Sequence, residues 1–372
     1  MKIGILTLNT HNNYGNRLQN YALRKVLLNY ADVVDTIWFE KNNYLPDKKI
    51  WNIKNIAKYI LNWKDSRMYL NKYYIRDCIR EYNIKTFSDK YIPIKYDFCI
   101  KEDLNNKYDY FIVGSDQVWN PNLWGFSNND KDFFLNFADK NKRIAYAASF
   151  GIEKIPEEKV NLFKDGLKSM KAISVREKEG MKIVKNLINR DVSIVVDPTM
   201  LLGKKDWHDI GEKPGWYNGE KYILTYFLGK ANKYENLNSI ISSLSREKGW
   251  KVYNLLDKNS FNTYVSTVEE FIYLIEHAEL ICADSFHATV CSILMERPFL
   301  VVNCNNNEKN NMSSRLFTLL SLFGFEDRFL TVENDKNLSI DDIFEINYSK
   351  VNNILNRERK KAISYIETSL EI

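Results

Sequence analysis

The chain opens with an apolar run, Lys2 to Leu8, that reads as a buried strand. A polar loop follows, Thr10-His11-Asn12-Asn13-Tyr14-Gly15-Asn16. The next stretch, NRLQNYALRKVLLNY, repeats apolar positions at helical spacing, with Leu18, Ala22, Val26 and Tyr30 on one face. Val33 to Phe39 is a second apolar strand. Strand, loop, helix and strand in that order predict the start of a parallel sheet. Residues 50 to 86 break the rhythm with a basic, aromatic stretch that reads as a helical insertion. Ile53, Ile56, Ile60 and Trp63 line one side of it, near Lys54, Lys58, Lys64 and Arg67. Short apolar runs then return at residues 108–113, 143–149, 172–175 and 192–196.

A loop rich in Gly, Lys and Trp at residues 203–220 suits a boundary. Beyond it the alternation starts again. Strands are expected at 222–228, 251–255, 280–283 and 299–302, and helices at 232–248, 268–278 and 286–296. Residues 351–370 read as a long terminal helix. The pattern predicts an α/β chain of two Rossmann-like, doubly wound parallel sheets facing a cleft. The expected units are residues 1–203 with the insertion, residues 204–350, and a terminal helix over 351–372.

Composition narrows the function classes. A hydrophobic share of 45% over 372 residues is enough for a substantial core. The net charge of +5 is too small to argue for nucleic acid, and fits a small anionic substrate. Five cysteines, an odd number without a CxxC, suit a reduced, cytoplasmic chain. Cys282 and Cys291 lie in apolar runs and read as core. MKIGILTL lacks the length and cleavage region of a signal peptide, and no run of apolar residues is long enough to span a membrane. No GxGxxG, P-loop, HExxH or nucleophile elbow occurs, which argues against hydride transfer, P-loop ATP hydrolysis and zinc peptidase chemistry. Asp130-Lys131-Asp132 forms a DxD, but in so polar a loop it reads as a solvated turn. His208 and His277 read as structural.

In doubly wound sheets ligands dock beyond the carboxyl ends of strands, where helix N-termini point. Four segments meet that condition. The first is His11 to Arg17, where His11, Asn13, Tyr14 and Gly15 join strand to helix. Arg17 there sits in a first helical turn, an unfavourable place for a cation unless it has a task. The second is Gly114-Ser115-Asp116-Gln117, with Asp116 as an acid or base and Ser115 as a donor, or as a helix cap. The third is Ser174-Val175-Arg176-Glu177, with Arg176 placed to clamp a carboxylate or phosphate, or to pair with Glu177 or Glu179. The fourth is Asp284-Ser285-Phe286-His287, where His287 opens an apolar helix and is a candidate for proton transfer. The alternative there is a cap beside a buried histidine.

The ordered segments GILTLNTHNNYGNRLQNYAL, YDYFIVGSDQVWNP, RIAYAASFG, SVREKEG, VVDPTMLL and ADSFHATVCSILMERPFLVV resemble the polysaccharide pyruvyl transferase family. The likeness runs from residue 3 to about residue 325. It implies a GT-B-like fold and transfer of pyruvate from phosphoenolpyruvate onto two hydroxyls of a sugar, as a cyclic ketal. The sugar would belong to a capsule, exopolysaccharide, cell-wall polymer or lipid-linked precursor.

The resemblance makes His287, Asp116 and Asp284 the expected proton carriers, with Arg176 and Arg17 supplying positive charge. Some members carry Arg two residues before the histidine; here that position is Ser285, so part of the anion clamp must come from elsewhere, with Arg17 or Arg315 the candidates. No metal or other cofactor is expected, with phosphoenolpyruvate as donor substrate. The expected place is the cytoplasm, at the inner membrane face if the acceptor is lipid-linked. The insertion then has three readings: a packed cap, a wall of the acceptor site, or a peripheral membrane contact. A nucleotide-sugar glycosyltransferase and a non-catalytic glycan- or anion-binding relative are the rival functions.

Overall fold

The computed structural model describes residues 1–38, 72–95, 102–123, 131–229, 234–303, 313–331, 335 and 339–372. Seven strands form the first sheet: β1 (Lys2–Leu6), β2 (Val33–Ile37), β3 (Ile94–Lys95), β4 (Tyr110–Gly114), β5 (Arg143–Ala148), β6 (Ala172–Val175) and β7 (Ser193–Ile194). Their order is β3-β2-β1-β4-β5-β6-β7, and every pairing is parallel. Five strands form the second: β8 (Tyr222–Tyr226), β9 (Lys251–Asn254), β10 (Leu280–Ala283), β11 (Phe299–Val302) and β12 (Phe329–Leu330). Their order is β12-β11-β10-β8-β9, again all parallel. The strand order reverses between β1 and β4 in one sheet and between β8 and β10 in the other, and ligand crevices form at such points. This is the expected pair of doubly wound sheets. The short edge strands β3 and β12 are additions that sequence pattern did not single out, because two residues carry no period.

Helix α1 (Tyr14–Leu27) follows β1, and its predicted apolar face is buried at Leu18, Ala22 and Val26. Asn13 caps it, its side-chain oxygen accepting from Gly15 N at 2.8 Å. The described part of the insertion is α2 (Lys72–Tyr91); Ile53, Ile56, Ile60 and Trp63 lie outside the described residues. Helix α2 packs against the second half. Asn83 donates to Val265 O at 2.6 Å, Lys258 pairs with Asp77 at 2.7 Å, and Arg76 donates to Lys258 O.

The segment 203–220 is more than a connector. It holds a short helix, Lys204–His208, and buries Trp207, whose indole donates to Thr199 O at 3.1 Å. One apolar cluster runs from Ile3 and Leu18 through Tyr226 and Phe271 to Ile366, joining both halves. Helix α3 (Lys178–Ile188) follows β6. Helix α4 (Val268–His277) starts with a reciprocal cap between Thr267 and Glu270. Helices α5 (Phe286–Leu294) and α6 (Ser313–Phe323) follow β10 and β11. Helix α7 (Val351–Leu370) returns to the first half, where Arg359 donates to Met200 O and Leu202 O and Tyr365 to Ala145 O. Among the described residues no helix is long and apolar enough to cross a membrane.

Cys78, Cys282 and Cys291 are buried, and burial pushes the thiols of Cys282 and Cys291 up to about 12. His208 pairs with Glu276 at 2.9 Å, and His277 stacks on Tyr273. Asp130 of the DxD lies outside the described residues, while Asp132 is buried at the start of a short turn.

Candidate active site

Loops after β1, β4, β6, β7 and β10 meet between the sheets. At their centre is Asp197, just beyond β7 and wholly buried. Its Oδ2 accepts from Arg176 Nη1 and from Ser115 Oγ, both at 2.7 Å, and lies 3.6 Å from His287 Nε2. Its Oδ1 accepts from Thr199 N at 3.0 Å and from Thr199 Oγ1 at 2.6 Å. Burial alone would raise its pKa. The nearby His287 and Arg176, with the hydroxyl of Thr199, outweigh that and hold it far below the usual carboxylate range.

Arg176 is buried between acids. Besides Asp197 it faces Asp116, Nη2 to Oδ1, at 3.6 Å, and its guanidinium lies 4.2 Å from the centre of the Phe286 ring. Burial works against its charge, but Asp197, Asp116 and Glu177 raise its pKa above the ordinary value. Its Nε and Nη2 have no hydrogen-bond partner among the described residues. Glu177 accepts from Phe150 N at 2.8 Å, and burial raises its pKa against the pull of Arg176 and Arg315. Asp116 accepts from Asn16 at 2.5 Å and from Gln117 N at 2.9 Å, which ties the loop after β4 to the start of α1.

His287 reaches this cluster from the first turn of α5 and is 6% exposed. Its ring lies against Gly15. A Cβ at Gly15 would sit 2.1 Å from His287 Nδ1, so only glycine lets the imidazole approach α1 so closely. His287 Nε2 has no hydrogen-bond partner among the described residues. Arg315, on α6, is also buried; burial and then the like charge of Arg176 push it down to about 10. Arg176, Arg315, Asp197 and Phe286 line a cavity of about 300 Å³.

The structure therefore brings together Ser115, Asp116, Arg176, His287, Gly15 and Arg315 from the expected residues. It places others elsewhere. The guanidinium of Arg17 donates to Ser88 Oγ and Leu8 O at 3.0 Å and to Asn9 Oδ1 at 2.8 Å, so it holds the loop after β1 and does not reach the cluster. Asp284 accepts from Leu228 N at 2.7 Å and Gly229 N at 2.8 Å, fixing the loop after β8. Ser285 caps α5. Tyr14 is a wedge between the halves: it donates to Ser266 O at 2.8 Å, accepts from Arg80 and stacks on Phe271. Gln117 accepts from Asn120 at 2.7 Å beside Gly151. His11 is buried near Arg17, and burial first, then the charges of Arg17 and Lys85, push its pKa down to about 3. Asn13 caps α1 and also lines a second cavity, of about 410 Å³, with Asn12, Arg80, Lys258 and Tyr264.

Asp197 and Glu177 were not expected in the site. The signal for Asp197 was present, since Val192 to Val196 runs straight into Asp197-Pro198-Thr199 and so meets the same post-strand condition as the others. Arg80 gave no local signal, because its role depends on α2 packing across both halves.

Residues 13–307 match the model of the family described as polysaccharide pyruvyl transferase. A comparison with characterised protein sequences gives no match. Among solved structures the chain is similar to the UDP-GlcNAc 2-epimerase of Neisseria meningitidis bound to UDP-GlcNAc, at 9% identity and a TM-score of 0.42, over 99% of this chain and 100% of that one. It is similar to the UDP-GlcNAc 2-epimerase of Methanocaldococcus jannaschii at 12% identity and 0.46, over 94% of each chain. It is similar to a mutant O-GlcNAc transferase of Thermobaculum terrenum at 10% and 0.38, over 100% of this chain and 64% of that one. The family match spans most of the chain and contains Arg176, Asp197 and His287, so the chain belongs to the polysaccharide pyruvyl transferase family and is a transferase.

Proposed function

We propose that this transferase moves pyruvate from phosphoenolpyruvate onto two hydroxyls of one sugar in a surface polysaccharide or its precursor, forming a cyclic ketal and releasing phosphate. The observation that supports it is the cavity where Arg176 and Arg315 meet beside the His287–Asp197 pair. Phosphoenolpyruvate carries a carboxylate and a phosphate, and buried guanidinium groups with uncommitted N–H groups suit both.

In the chemistry, one sugar hydroxyl adds to C2 while C3 takes a proton and becomes a methyl group. The second hydroxyl then adds to C2, the C2–O bond to phosphate breaks, and its proton leaves with the phosphate. Our reading gives His287 the proton transfer, oriented by Gly15 and by the negative charge of Asp197, with Asp116 as the nearby second carboxylate. Arg176 and Arg315 offset the charge that builds on the donor. Asp284, with both oxygens on backbone N–H groups, holds a loop in this scheme instead of moving protons. No metal or other cofactor enters the scheme. The acceptor is assigned to the 410 Å³ cavity, which lies at the carboxyl ends of strands from both sheets. The reading puts the protein in the cytoplasm, where phosphoenolpyruvate would be available.

The test is phosphate release from phosphoenolpyruvate with galactose-, mannose- and N-acetylhexosamine-containing acceptors, beside His287→Ala. Acceptor-dependent release that the variant loses is the expected result. No release with any acceptor, together with no binding of phosphoenolpyruvate, would overturn the donor assignment.

A further inference from the structure

We infer that Lys361, on the C-terminal helix α7, and Lys178, at the start of α3, supply the net positive charge that lets the Arg176–Arg315 cavity hold a trianionic donor. The inference rests on the phosphoenolpyruvate reading above. It begins with a charge imbalance. Arg176 and Arg315 line the cavity, but Asp197 lines it too, while Glu358, the other acid of the lining, is already paired with Arg357 at 2.9 Å. Asp116 and Glu177 act on the same two arginines from behind. Two guanidinium groups so neutralised offer directed N–H groups and little net field. The ordinary charge of phosphoenolpyruvate is near minus three, and an anion of that charge needs more.

The remaining charged lining residues are Lys178 and Lys361. Both are exposed, and neither has an ion-pair partner among the described residues. Lys361 does not reach the rim by chance of a loose tail. Arg359 on the same helix donates to Met200 O and Leu202 O, both at 2.7 Å, and Tyr365 donates to Ala145 O at 2.8 Å. These bonds set both the position and the rotation of α7. Glu358 and Lys361 are three residues apart and so share the face turned to the cavity. Helix α7 and Arg315 both lie outside the residues that match the family model, so this part of the clamp belongs to the chain's own C-terminal region. It also answers the serine at position 285, which caps α5 and brings no charge.

The experiment is calorimetric titration of phosphoenolpyruvate into the full chain and into Lys361→Glu, Lys361→Arg and the double variant Lys178→Glu with Lys361→Glu. KM and kcat are measured alongside. For Lys361→Glu the expected loss is roughly three- to tenfold in donor affinity, larger in the double variant and smaller at high salt. The loss falls on KM more than on kcat, and Lys361→Arg restores most of it. Lys361→Glu binding the donor as tightly as the unaltered chain would overturn the lysine role and leave the donor assignment standing. A fall in affinity that salt does not change and arginine does not restore would also overturn it. If the unaltered chain binds no phosphoenolpyruvate, the donor assignment fails and the lysine role falls with it.

Discussion

Two sets of buried polar residues sit beyond strand ends in this fold, and they differ in whether they gather beside a cavity. Arg17 and Asp284 are engaged by their own surroundings: the arginine by Ser88, Leu8 and Asn9, the carboxylate by the N–H groups of Leu228 and Gly229. Around Asp197 the picture is different. Arg176, Arg315 and His287 are equally buried, and nitrogen atoms of all three without a hydrogen-bond partner among the described residues gather beside a cavity. A buried donor without a partner costs free energy, so a fold that keeps several in one place beside a cavity has a reason outside its own stability. Position after a strand marks where ligands can dock. Such capacity gathered at a cavity marks which of those positions serve a ligand.

The comparison breaks most easily at Asp197. Asp197→Asn keeps the shape but removes the charge that Arg176 and His287 face. Activity should fall about a hundredfold or more in kcat/KM, and stability by about 3 kcal/mol, because the cations lose a buried partner. Phosphate-release kinetics and urea unfolding together check both. A variant that loses stability but keeps full kcat/KM would make Asp197 part of the scaffold.

Gly15→Ala is the next largest and the more selective. The added methyl would meet His287 Nδ1, whereas the backbone at Gly15 is an ordinary helical start. The imidazole must shift, and a displacement near 1 Å is worth on the order of a hundredfold in rate. Donor affinity measured by titration should change far less than kcat, since Arg176 and Arg315 are untouched.

Much of the architecture was legible because it rests on local pattern. The runs at Ala172 to Val175, Leu280 to Ala283 and Phe299 to Val302 fall on strands with the same ends, and Val351 to Leu370 is helical throughout. Candidates at the site were legible as far as one rule, the end of a strand, could take them. That rule cannot tell Arg17 from Arg176. Arg17 looked purposeful as a cation in a first helical turn, but its partners Leu8 and Asn9 lie only a few residues away and Ser88 arrives with α2. The contact of Gly15 with His287, and the approach of Lys361 to the Arg176 cavity, link residues far apart in the chain. Hydrophobic periodicity contains nothing about such pairs.

Arg17→Met sharpens the contrast from the other side. It should lower the melting temperature clearly, because the Leu8 carbonyl and Ser88 lose the buried guanidinium and Asn9 keeps only its longer bond from Asn20. Arg176→Met should instead act first on kcat/KM, by about a hundredfold. Comparing the two losses, each scaled to the folded fraction, separates a scaffold arginine from a substrate arginine.

The smallest expected effect concerns His11 and acid. Burial and the charges of Arg17 and Lys85 keep its folded pKa near 3, while an unfolded histidine titrates near 6.5. The unfolded chain therefore binds the extra proton first as pH falls. The stability this group contributes is complete above about pH 6.5 and is lost progressively toward pH 3. His11→Asn removes that titration and keeps a polar side chain in the loop. Its melting temperature should fall less steeply than that of the unaltered chain between pH 6.5 and pH 4.5, a window that avoids most carboxylate titration. Identical slopes would show that His11 takes up a proton without unfolding, and would remove it from the groups that tie stability to pH.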